Sequence, residues 1–331
     1  MSLNPITVFG EAMKKGASDV HLAAGSPILV RIDGVLQAEG DVLSAAEVEK
    51  FVQTVLGEDA WKRLEEQREI DVSYAIDDGT RLRINCHFER GNVGLVARVI
   101  PMAIPSLEAL GLQEIGARIA DMPDGLVLFT GPTGEGKSTS LASLIHSINQ
   151  SRPASIVTLE DPIEFLFPRG QGVIRQRQYD QDFLSFAEAL KRVLRQDPDI
   201  VMVGEMRDPE TIAAALTLAE TGHLILATLH TSNTVQAIDR IIDVFPPYQQ
   251  PQIRSQLSLS LRMIIAQRLL PKAGGGRIAQ REILVTTPAV SNTIRDNRLA
   301  ELPSLLQTGA ESGMISFEKD LKRLQKEGLV E

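Results

Sequence analysis

The 331-residue sequence has one cysteine, few aromatic residues and no apolar run of membrane-spanning length. Because Cys86 stands alone, intramolecular disulfides and four-cysteine zinc sites are excluded. The 34 basic residues are outnumbered by 43 acidic ones, and the net charge is −9. Nonspecific nucleic-acid binding needs a basic field and is helped by interleaved aromatic side chains, so we expect no nucleic-acid partner. No signal-peptide pattern precedes the first predicted helix, and we therefore expect a cytoplasmic protein without a transmembrane segment.

A phosphate-binding loop is the most informative motif present. Residues 131–139 read GPTGEGKST, directly after the apolar run 126–129 and before a predicted helix over 141–148. Its glycines allow backbone N–H groups to turn inward around phosphate oxygens, and the helix N-terminus adds partial positive charge. We expect Lys137 to reach the β- and γ-phosphates of ATP and the Ser138 hydroxyl to bind Mg²⁺. The predicted nucleotide-binding residues of this loop are Gly131, Thr133, Gly134, Glu135, Gly136, Lys137, Ser138 and Thr139.

The first hundred residues differ in pattern from the rest of the chain. They combine two predicted helices with several short strands: helices over 5–15 and 44–67, and strands over 19–22, 28–32, 70–76, 81–88 and 93–100. Turn signals follow at 33–34, 77–79 and 90–92. Antiparallel strands with helices on one side predict a small α+β domain over 1–100, followed by a proline-containing linker over 101–112.

From residue 113 the pattern changes to apolar strands alternating with longer helices. The predicted strands are 126–130, 156–159, 200–203 and 224–228, and the predicted helices are 182–196 and 208–222. Continuous apolar runs of this length are typical of parallel strands that are covered on both faces. The sequence therefore predicts an α/β nucleotide-binding domain of the P-loop class over 113–331, with a mostly helical C-terminal part from about 247.

Carboxylates follow two of the predicted strands, at the edge where open α/β sheets place their sites. Glu205 follows the strand 200–203, and we interpret it as the carboxylate on the metal or the water side. Glu160 and Glu164 follow the strand 156–159, and one of them is the candidate water-positioning base. The alternative is that these acids cap helices or are solvated loop charges.

Two histidines lie at opposite ends of the strand 224–228. His230 follows it at the end that is expected to face nucleotide, so a γ-phosphate sensor or coupling role is favoured. His223 precedes the strand and is a weaker candidate for the same role. The alternative for each is a structural histidine with satisfied hydrogen bonds.

Four arginines are concentrated in the N-terminal domain: Arg81, Arg83, Arg90 and Arg98. A solvated strand face is one interpretation. The other is that these guanidinium groups stabilise charge that develops on a phosphoryl group, arriving in trans from a neighbouring subunit.

Taken together, the ordered motifs resemble those of the secretion-superfamily ATPases, and most closely their pilus-retraction branch. The matching segments are GASDVHLAAG, RIDG, RINCHFERG, GPTGEGKST (Walker A), TLEDPIEF (Asp box), RQDPDIVMVGEMRD (Walker B), TGHLILATLHT (His box) and IDRIIDVFP. The resemblance implies a RecA-like P-loop NTPase core with a smaller, PAS-like N-terminal domain. It also implies a homohexamer with ATP at subunit boundaries, and it adds Arg207 of the Walker B segment to the nucleotide contacts.

The same resemblance implies a biological setting. The motor is expected at the inner face of the bacterial inner membrane, as a peripheral protein at the base of a type IV pilus. Its implied partners are the inner-membrane platform protein and other pilus ATPases, and its implied work is pilin disassembly, which drives twitching motility. Extension and type II secretion ATPases resemble this core but carry an added N-terminal domain and a zinc site, both missing from this sequence.

The sequence departs from the branch at two places. Residues 289–296 occupy the position of a C-terminal retraction motif, in which Ser291 and Thr293 replace an Arg and a Leu. Glu135 occupies a loop position where the family has small residues, and we expect its side chain to point to solvent or to a neighbour's arginine. These departures support an alternative, a nonenzymatic or weakly active accessory subunit of a pilus motor. A RecA-like nucleic-acid translocase is a third hypothesis, which the acidic composition disfavours.

Overall fold

The computed structural model describes residues 3–32, 34–76, 81–100 and 103–331. The chain divides into two compact units, Met1–Ala103 and Ile104–Glu331. The predicted turns at 33–34 and 77–79 lie wholly or partly outside the described residues, as does the start of the predicted linker. Among the described helices, none is both long enough and apolar enough to cross a bilayer.

The first unit contains a six-stranded antiparallel sheet in the order β3-β2-β1-β6-β5-β4. Its elements are α1 (Pro5–Lys14), β1 (Ala17–Leu22), β2 (Ile28–Ile32), β3 (Val35–Glu39), α2 (Ala45–Gln67), β4 (Glu69–Ala75), β5 (Arg81–Glu89) and β6 (Asn92–Ile100). Phe9 of α1 and Phe51 of α2 meet edge to face in the core, with ring centroids 5.6 Å apart. Ser44 and Glu47 form a capping box at the start of α2. Strand β3 was not predicted, because its largely exposed residues give no alternating apolar pattern.

The second unit contains a seven-stranded sheet in the order β13-β12-β7-β11-β10-β8-β9. Its elements are α3 (Gln113–Ala120), β7 (Gly125–Thr130), α4 (Lys137–Ser151), β8 (Ser155–Glu160), β9 (Val173–Gln178), α5 (Phe186–Val193), β10 (Ile200–Val203), α6 (Pro209–Glu220), β11 (Leu224–Leu229), α7 (Thr234–Asp243), α8 (Gln250–Ser260), β12 (Leu261–Pro271), β13 (Arg277–Val285), α9 (Pro288–Arg295), α10 (Leu302–Thr308) and α11 (Phe317–Lys326). Every residue of β7, β10 and β11 is buried, as their continuous apolar sequences predict. Because β7, β11, β10 and β8 run parallel, their carboxyl ends meet at one edge of the sheet.

The expectation of a mostly helical C-terminal part is wrong for two segments. Strand β12 pairs parallel with β7, and β13 pairs antiparallel with β12. Periodicity alone does not separate a buried strand from a buried helix in an apolar run of this length. The hairpin brings β12 directly beside the strand that carries the phosphate-binding loop, which matters for the site described below.

Three smaller differences concern boundaries and a missed strand. Helix α5 begins at Phe186 rather than 182, because Ser185 caps it by accepting a hydrogen bond from the Glu188 backbone N–H. Leu112, placed in the predicted linker, is only 2% exposed and belongs with the second unit. The edge strand β9 was not predicted, since its sequence VIRQRQ is largely polar.

Helix α9 contains most of the segment that replaces the retraction motif. Val290, Thr293 and Ile294 form its buried face. Thr293 therefore lies on the packed side of the helix, whereas Ser291 is only partly buried.

Candidate nucleotide-binding site

The phosphate-binding loop connects the end of β7 to the start of α4, where Gly136 is the N-terminal capping residue. Gly131, Gly134 and Gly136 have φ values of 148°, 85° and 78°, which residues with a Cβ rarely adopt. A Cβ on Gly131 would lie 2.4 Å from the carbonyl oxygen of Gln267 on β12. The loop is therefore built for backbone groups, and it rests against β12. Ser138 and Thr139 occupy the first turn of α4, where Ser138 is exposed.

Lys137 folds back under the loop. Its Nζ donates hydrogen bonds to the carbonyl oxygens of Gly131 at 2.7 Å and Pro132 at 2.9 Å. The residue is only 7% exposed. Both acceptors are neutral, and no carboxylate among the described residues forms a direct ion pair with the ammonium, so a bound polyanion would supply one.

Burial lowers the pKa of Lys137, and nearby carboxylates act in the opposite direction. The charges of Glu205, Glu164 and Glu135 each raise it. The three acids thus lie close enough to the amine to favour its charged form. Of the two candidates after β8, Glu164 is in this group.

His230 connects Lys137 to Glu205. Its Nδ1 lies 3.5 Å from Lys137 Nζ and 3.5 Å from Thr133 Oγ1, and its Nε2 lies 3.1 Å from Glu205 Oε1. Because an ammonium group can only donate, the nitrogen facing it has to be the acceptor, and Nε2 then carries the proton toward the carboxylate. One neutral tautomer satisfies all these contacts.

Hydrogen bonds between strand ends hold this group in place. The Thr130 hydroxyl, at the end of β7, donates to the Thr231 carbonyl at 2.7 Å and accepts from the Thr231 N–H at 3.1 Å. The Thr228 hydroxyl of β11 donates to the carbonyl of Gly204, next to Glu205. Hydrogen bonds therefore connect the end of β7 to the loop after β11, and β11 to the loop after β10.

Arg207 pairs with Glu205 from the other side. Its Nε donates to Glu205 Oε2 at 2.8 Å, and its second ion pair, with Asp161, is 3.8 Å long. The hydrogen bond to Glu205 raises the pKa of Arg207. Glu205 is thus flanked by His230 and Arg207, one on each oxygen.

Glu160 occupies a different environment, although it follows the same strand as Glu164. It is only 7% exposed and accepts hydrogen bonds from the Thr158 hydroxyl at 2.7 Å and the Gln176 amide at 3.1 Å. Burial raises the pKa of Glu160 despite these hydrogen bonds. The structure thus shows Glu160 held by neighbours on β8 and β9, with no direct contact to Lys137, His230 or Glu205 recorded among the described residues.

His223 lies at the amino end of β11, opposite to His230. Its Nδ1 is 3.2 Å from the carbonyl oxygen of Leu218 at the end of α6 and 3.3 Å from the Thr221 hydroxyl. His223 therefore joins the end of α6 to the start of β11. The structure does not bring His223 to the loop.

The predicted arginines lie in the first unit. Arg81 and Arg83 of β5 and Arg98 of β6 share the sheet face opposite to the core, because the alternate residue Leu82 is fully buried and Arg83 pairs directly with Arg98. Arg98 donates to Asp19 on β1 at 2.9 Å, and Arg83 lies 3.9 Å from Asp71 on β4. Arg90 lies in the β5–β6 turn with a positive φ of 50°.

The expectation for Glu135 is wrong. Its carboxylate accepts a hydrogen bond from the backbone N–H of Leu269 on β12, and its own carbonyl accepts one from the Gln267 side chain at 2.5 Å. The side chain therefore points to the neighbouring strand rather than to solvent. Gln267 was missed as a site residue because β12 was expected to be helical, and no local sequence signal places it beside the loop.

The residue set fits a nucleoside triphosphate with Mg²⁺. Loop amides and Lys137 supply donors for phosphate oxygens, while the Ser138 hydroxyl and the Glu205 carboxylate are oxygen ligands of the kind that Mg²⁺ takes. A bound polyanion explains two features of the loop. One is the buried Lys137, which no carboxylate among the described residues pairs with directly, and the other is the positive φ of the glycines.

A parallel sheet with this loop after a central strand defines a P-loop nucleotide-binding protein. Residues 3–305 match the family described as type II/IV secretion system protein, and the chain belongs to this family. It is 44% identical over 318 residues to the type IV pilus retractation ATPase PilT of Pseudomonas aeruginosa, covering 96% of this chain and 92% of the relative. It is 43% identical over 321 residues to a twitching motility protein of Neisseria gonorrhoeae, covering 95% and 86%.

The solved structures agree with these sequence relatives. A crystal structure of the pilus retraction motor PilT with bound ADP superimposes with a TM-score of 0.92 at 42% identity, over 99% of this chain and 95% of that chain. The predicted family and the fold class, a P-loop α/β core with a smaller N-terminal α+β domain, are confirmed.

Proposed function

We propose that this protein is an ATP-hydrolysing motor that powers retraction of type IV pili. The observation that carries the proposal is the connected group Lys137–His230–Glu205 at a complete phosphate-binding loop. It occurs in a chain that is 44% identical to a pilus retraction ATPase over 96% of its length. As an ATPase of the type II/IV secretion family, the protein converts cleavage of a phosphoanhydride bond into movement.

The loop residues bind the triphosphate. Amides of the loop and the Lys137 ammonium neutralise phosphate oxygens, and Lys137 exchanges its carbonyl partners for the substrate. Ser138 and Glu205 would hold Mg²⁺, which would supply positive charge to offset the phosphate oxygens. Arg207 keeps Glu205 oriented through its 2.8 Å hydrogen bond.

Glu164 is the water-side carboxylate. The assignment is supported by its charge, which raises the pKa of Lys137 and so acts within electrostatic range of the phosphate-binding amine. Glu160 is unsuited to the role, because it is buried and accepts hydrogen bonds from Thr158 and Gln176, which keep it from an attacking water. A base needs access to the attacking water as well as a suitable pKa, and Glu164 meets the first requirement better.

His230 senses whether a γ-phosphate occupies the site. Its Nδ1 faces Lys137 and Thr133 of the loop, and its Nε2 faces the Glu205 carboxylate. When Lys137 turns toward a γ-phosphate, His230 loses one partner and is free to contact the phosphate. His223, at the far end of the same strand, contacts Leu218 and Thr221 and takes no part in this sensing.

The working assembly is a homohexamer whose arginines act on a neighbour's nucleotide. The support is the shared outer face of Arg81, Arg83 and Arg98, with the core-facing Leu82 between the two arginines of β5. Guanidinium groups in such a row suit a polyanion better than isolated lysines do. Arg90, in the adjoining turn, belongs to the same set.

Mixing two inactive variants tests the shared site. Lys137→Ala removes the phosphate contact, and Arg98→Ala, or the same change at Arg81 or Arg83, removes the trans contribution. Rings assembled from both variants contain some boundaries with an intact loop and an intact arginine, so mixing should restore part of the ATPase activity. Activity equal to the sum of the separate variants would contradict the assignment in trans.

The motor acts at the cytoplasmic face of the inner membrane, where it engages the pilus platform protein and other pilus ATPases. The decisive test is steady-state ATP hydrolysis by the purified chain together with pilus retraction in a strain that lacks the gene. We expect Lys137→Ala to abolish both activities and Lys191→Ala, at an exposed surface pair with Glu188, to leave both intact. Retraction without hydrolysis by the chain alone would instead favour the accessory-subunit alternative.

A further inference from the structure

Strand β12 holds the phosphate-binding loop through a buried glutamine. Gln267 is only 2% exposed, and its Nε2 donates to the carbonyl of Glu135 at 2.5 Å. Its Oε1 accepts hydrogen bonds from the Ser140 hydroxyl of α4 at 2.9 Å and from Arg281 Nε at 3.2 Å. One side chain therefore touches the loop, the helix that follows it and the neighbouring strand β13.

Arg281 determines which way the amide faces. A guanidinium group only donates, so the atom facing it has to be the amide oxygen, and the NH₂ group is then directed at the loop. Arg281 is only 5% exposed, and although burial lowers its pKa to about 10, it is charged at neutral pH. The Ser140 hydroxyl can donate or accept, so it does not fix this orientation by itself.

Arg281 is in turn held by the C-terminal helix α11. Its backbone N–H donates to Asp320 at 2.7 Å, and Asp320 also pairs with Arg323 at 2.8 Å. Arg268, which follows Gln267 on β12, also contacts α11. Its guanidinium carbon lies over the ring of Phe317, 4.2 Å from the ring centroid. Contacts therefore run without a gap from α11 through Arg281 and Gln267 to the loop.

The anchored carbonyl has a direct consequence for phosphate binding. In a planar trans peptide the C=O and the following N–H point in opposite directions. Fixing the Glu135 carbonyl toward β12 therefore points the Gly136 N–H away from β12. That N–H is one of the loop amides available to a phosphate.

We propose that Gln267 is a positioning residue for the phosphate-binding loop, and that Arg281 orients its amide. This inference rests on the proposed ATP-binding function. Gln267 does not touch the nucleotide; it acts through the Glu135–Gly136 peptide. Its loss should therefore weaken nucleotide binding more than it slows the bound reaction.

Gln267→Glu tests the inference with little change of volume. The new carboxylate keeps Arg281 as a partner but presents an oxygen to the Glu135 carbonyl, so the loop loses its donor. Gln280→Glu is the matched control, because Gln280 is a buried glutamine of the same hairpin whose Nε2 donates to the Phe317 carbonyl at 2.6 Å, away from the loop. The measurements are Kd for ADP and for a nonhydrolysable ATP analogue, kcat, and the melting temperature of each variant.

We expect Gln267→Glu to raise both dissociation constants at least tenfold while kcat stays within about threefold of the unmodified protein. Gln280→Glu should leave the dissociation constants unchanged even if its melting temperature falls equally. Arg281→Met should weaken binding, and Arg281→Lys should restore part of it, because a lysine also only donates. Equal affinity losses in the Gln267 and Gln280 variants, or none in Gln267→Glu, would overturn the inference. Absence of nucleotide binding by the unmodified protein would instead refute the proposed function.

Discussion

His230 Nε2 lies 3.1 Å from Glu205 Oε1, so the loops after β11 and β10 meet through this close polar contact. The other ring nitrogen faces Lys137 at 3.5 Å. A single imidazole thereby connects the phosphate-binding amine with the proposed metal carboxylate. Its two nitrogens have opposite hydrogen-bonding roles, and a replacement has to reproduce both to preserve the link.

Replacing His230 should cost activity, whereas the same change at His223 should not. His230→Gln removes the ring that spans Lys137 and Glu205. We expect kcat to fall about 10- to 100-fold, which is at or below the rate loss usual when one hydrogen-bonding or acid–base group is removed from an active site. His223→Gln is the matched control, since His223 contacts Leu218 and Thr221 at the opposite strand end. Steady-state hydrolysis measures both, and similar losses in the two variants would contradict the assignment.

Single-turnover hydrolysis should distinguish the roles of the two carboxylates after β8. Glu164→Gln removes the proposed water-side carboxylate, and we expect the chemical step to slow about 10²- to 10⁴-fold while ATP stays bound. Glu160→Gln retains a partner for Thr158 or Gln176 and should slow the step far less. The reverse order of effects would transfer the role to Glu160.

Glu160 should also make folding stability depend on pH. Because burial raises its pKa in the folded state, the folded protein binds this proton more tightly than the unfolded chain does. Its contribution is therefore fully present below the unfolded value of 4.5 and is lost as pH rises through the folded pKa. Relative to the unmodified protein, Glu160→Gln should gain stability as the pH rises above 4.5, and the gain should level off once the pH exceeds the folded pKa of Glu160.

Urea unfolding at several pH values measures this difference. Comparing the two proteins at each pH isolates the effect of residue 160 from the pH dependence that they share. A free-energy difference that stays constant across the range would show that Glu160 has no raised pKa.

Glu135→Ser should change ATP affinity by less than tenfold. The substitution removes a carboxylate whose charge opposes a triphosphate, but it also removes the acceptor for the Leu269 N–H. These effects act in opposite directions on the same loop. Isothermal titration with a nonhydrolysable analogue measures the sum, and a gain of tenfold, about 1.4 kcal/mol, would mean that repulsion outweighs the anchor.

Much of the core was predictable because its signals are local. The strand 200–203 was predicted with its observed bounds, and 126–130, 156–159 and 224–228 within one residue at each end. Buried parallel strands are uniformly apolar, and glycine and capping residues mark their ends. The polar edge strand β9 and the exposed β3 carry no such signal and were missed.

The site was predictable to the extent that its residues follow those strands. His230 and Glu205 were selected for lying at strand ends and Lys137 for its place in the phosphate-binding motif, and the structure brings the three together. Glu135 was misplaced because its partner Leu269 lies on β12, more than a hundred residues further along the chain. The choice between Glu160 and Glu164 was open, since four residues of spacing do not specify which side chain becomes buried.

The chemical class of the protein follows from local sequence, because a glycine-rich loop between an apolar strand and a helix forms from local backbone preferences. The family follows from the ordered motifs. What stabilises that loop depends on long-range contacts that exist only in the folded chain. Strand β12 pairs with β7 across the sheet, and this long-range contact places Gln267 and Leu269 under the Glu135–Gly136 peptide, where no pattern in the neighbouring sequence could reveal them.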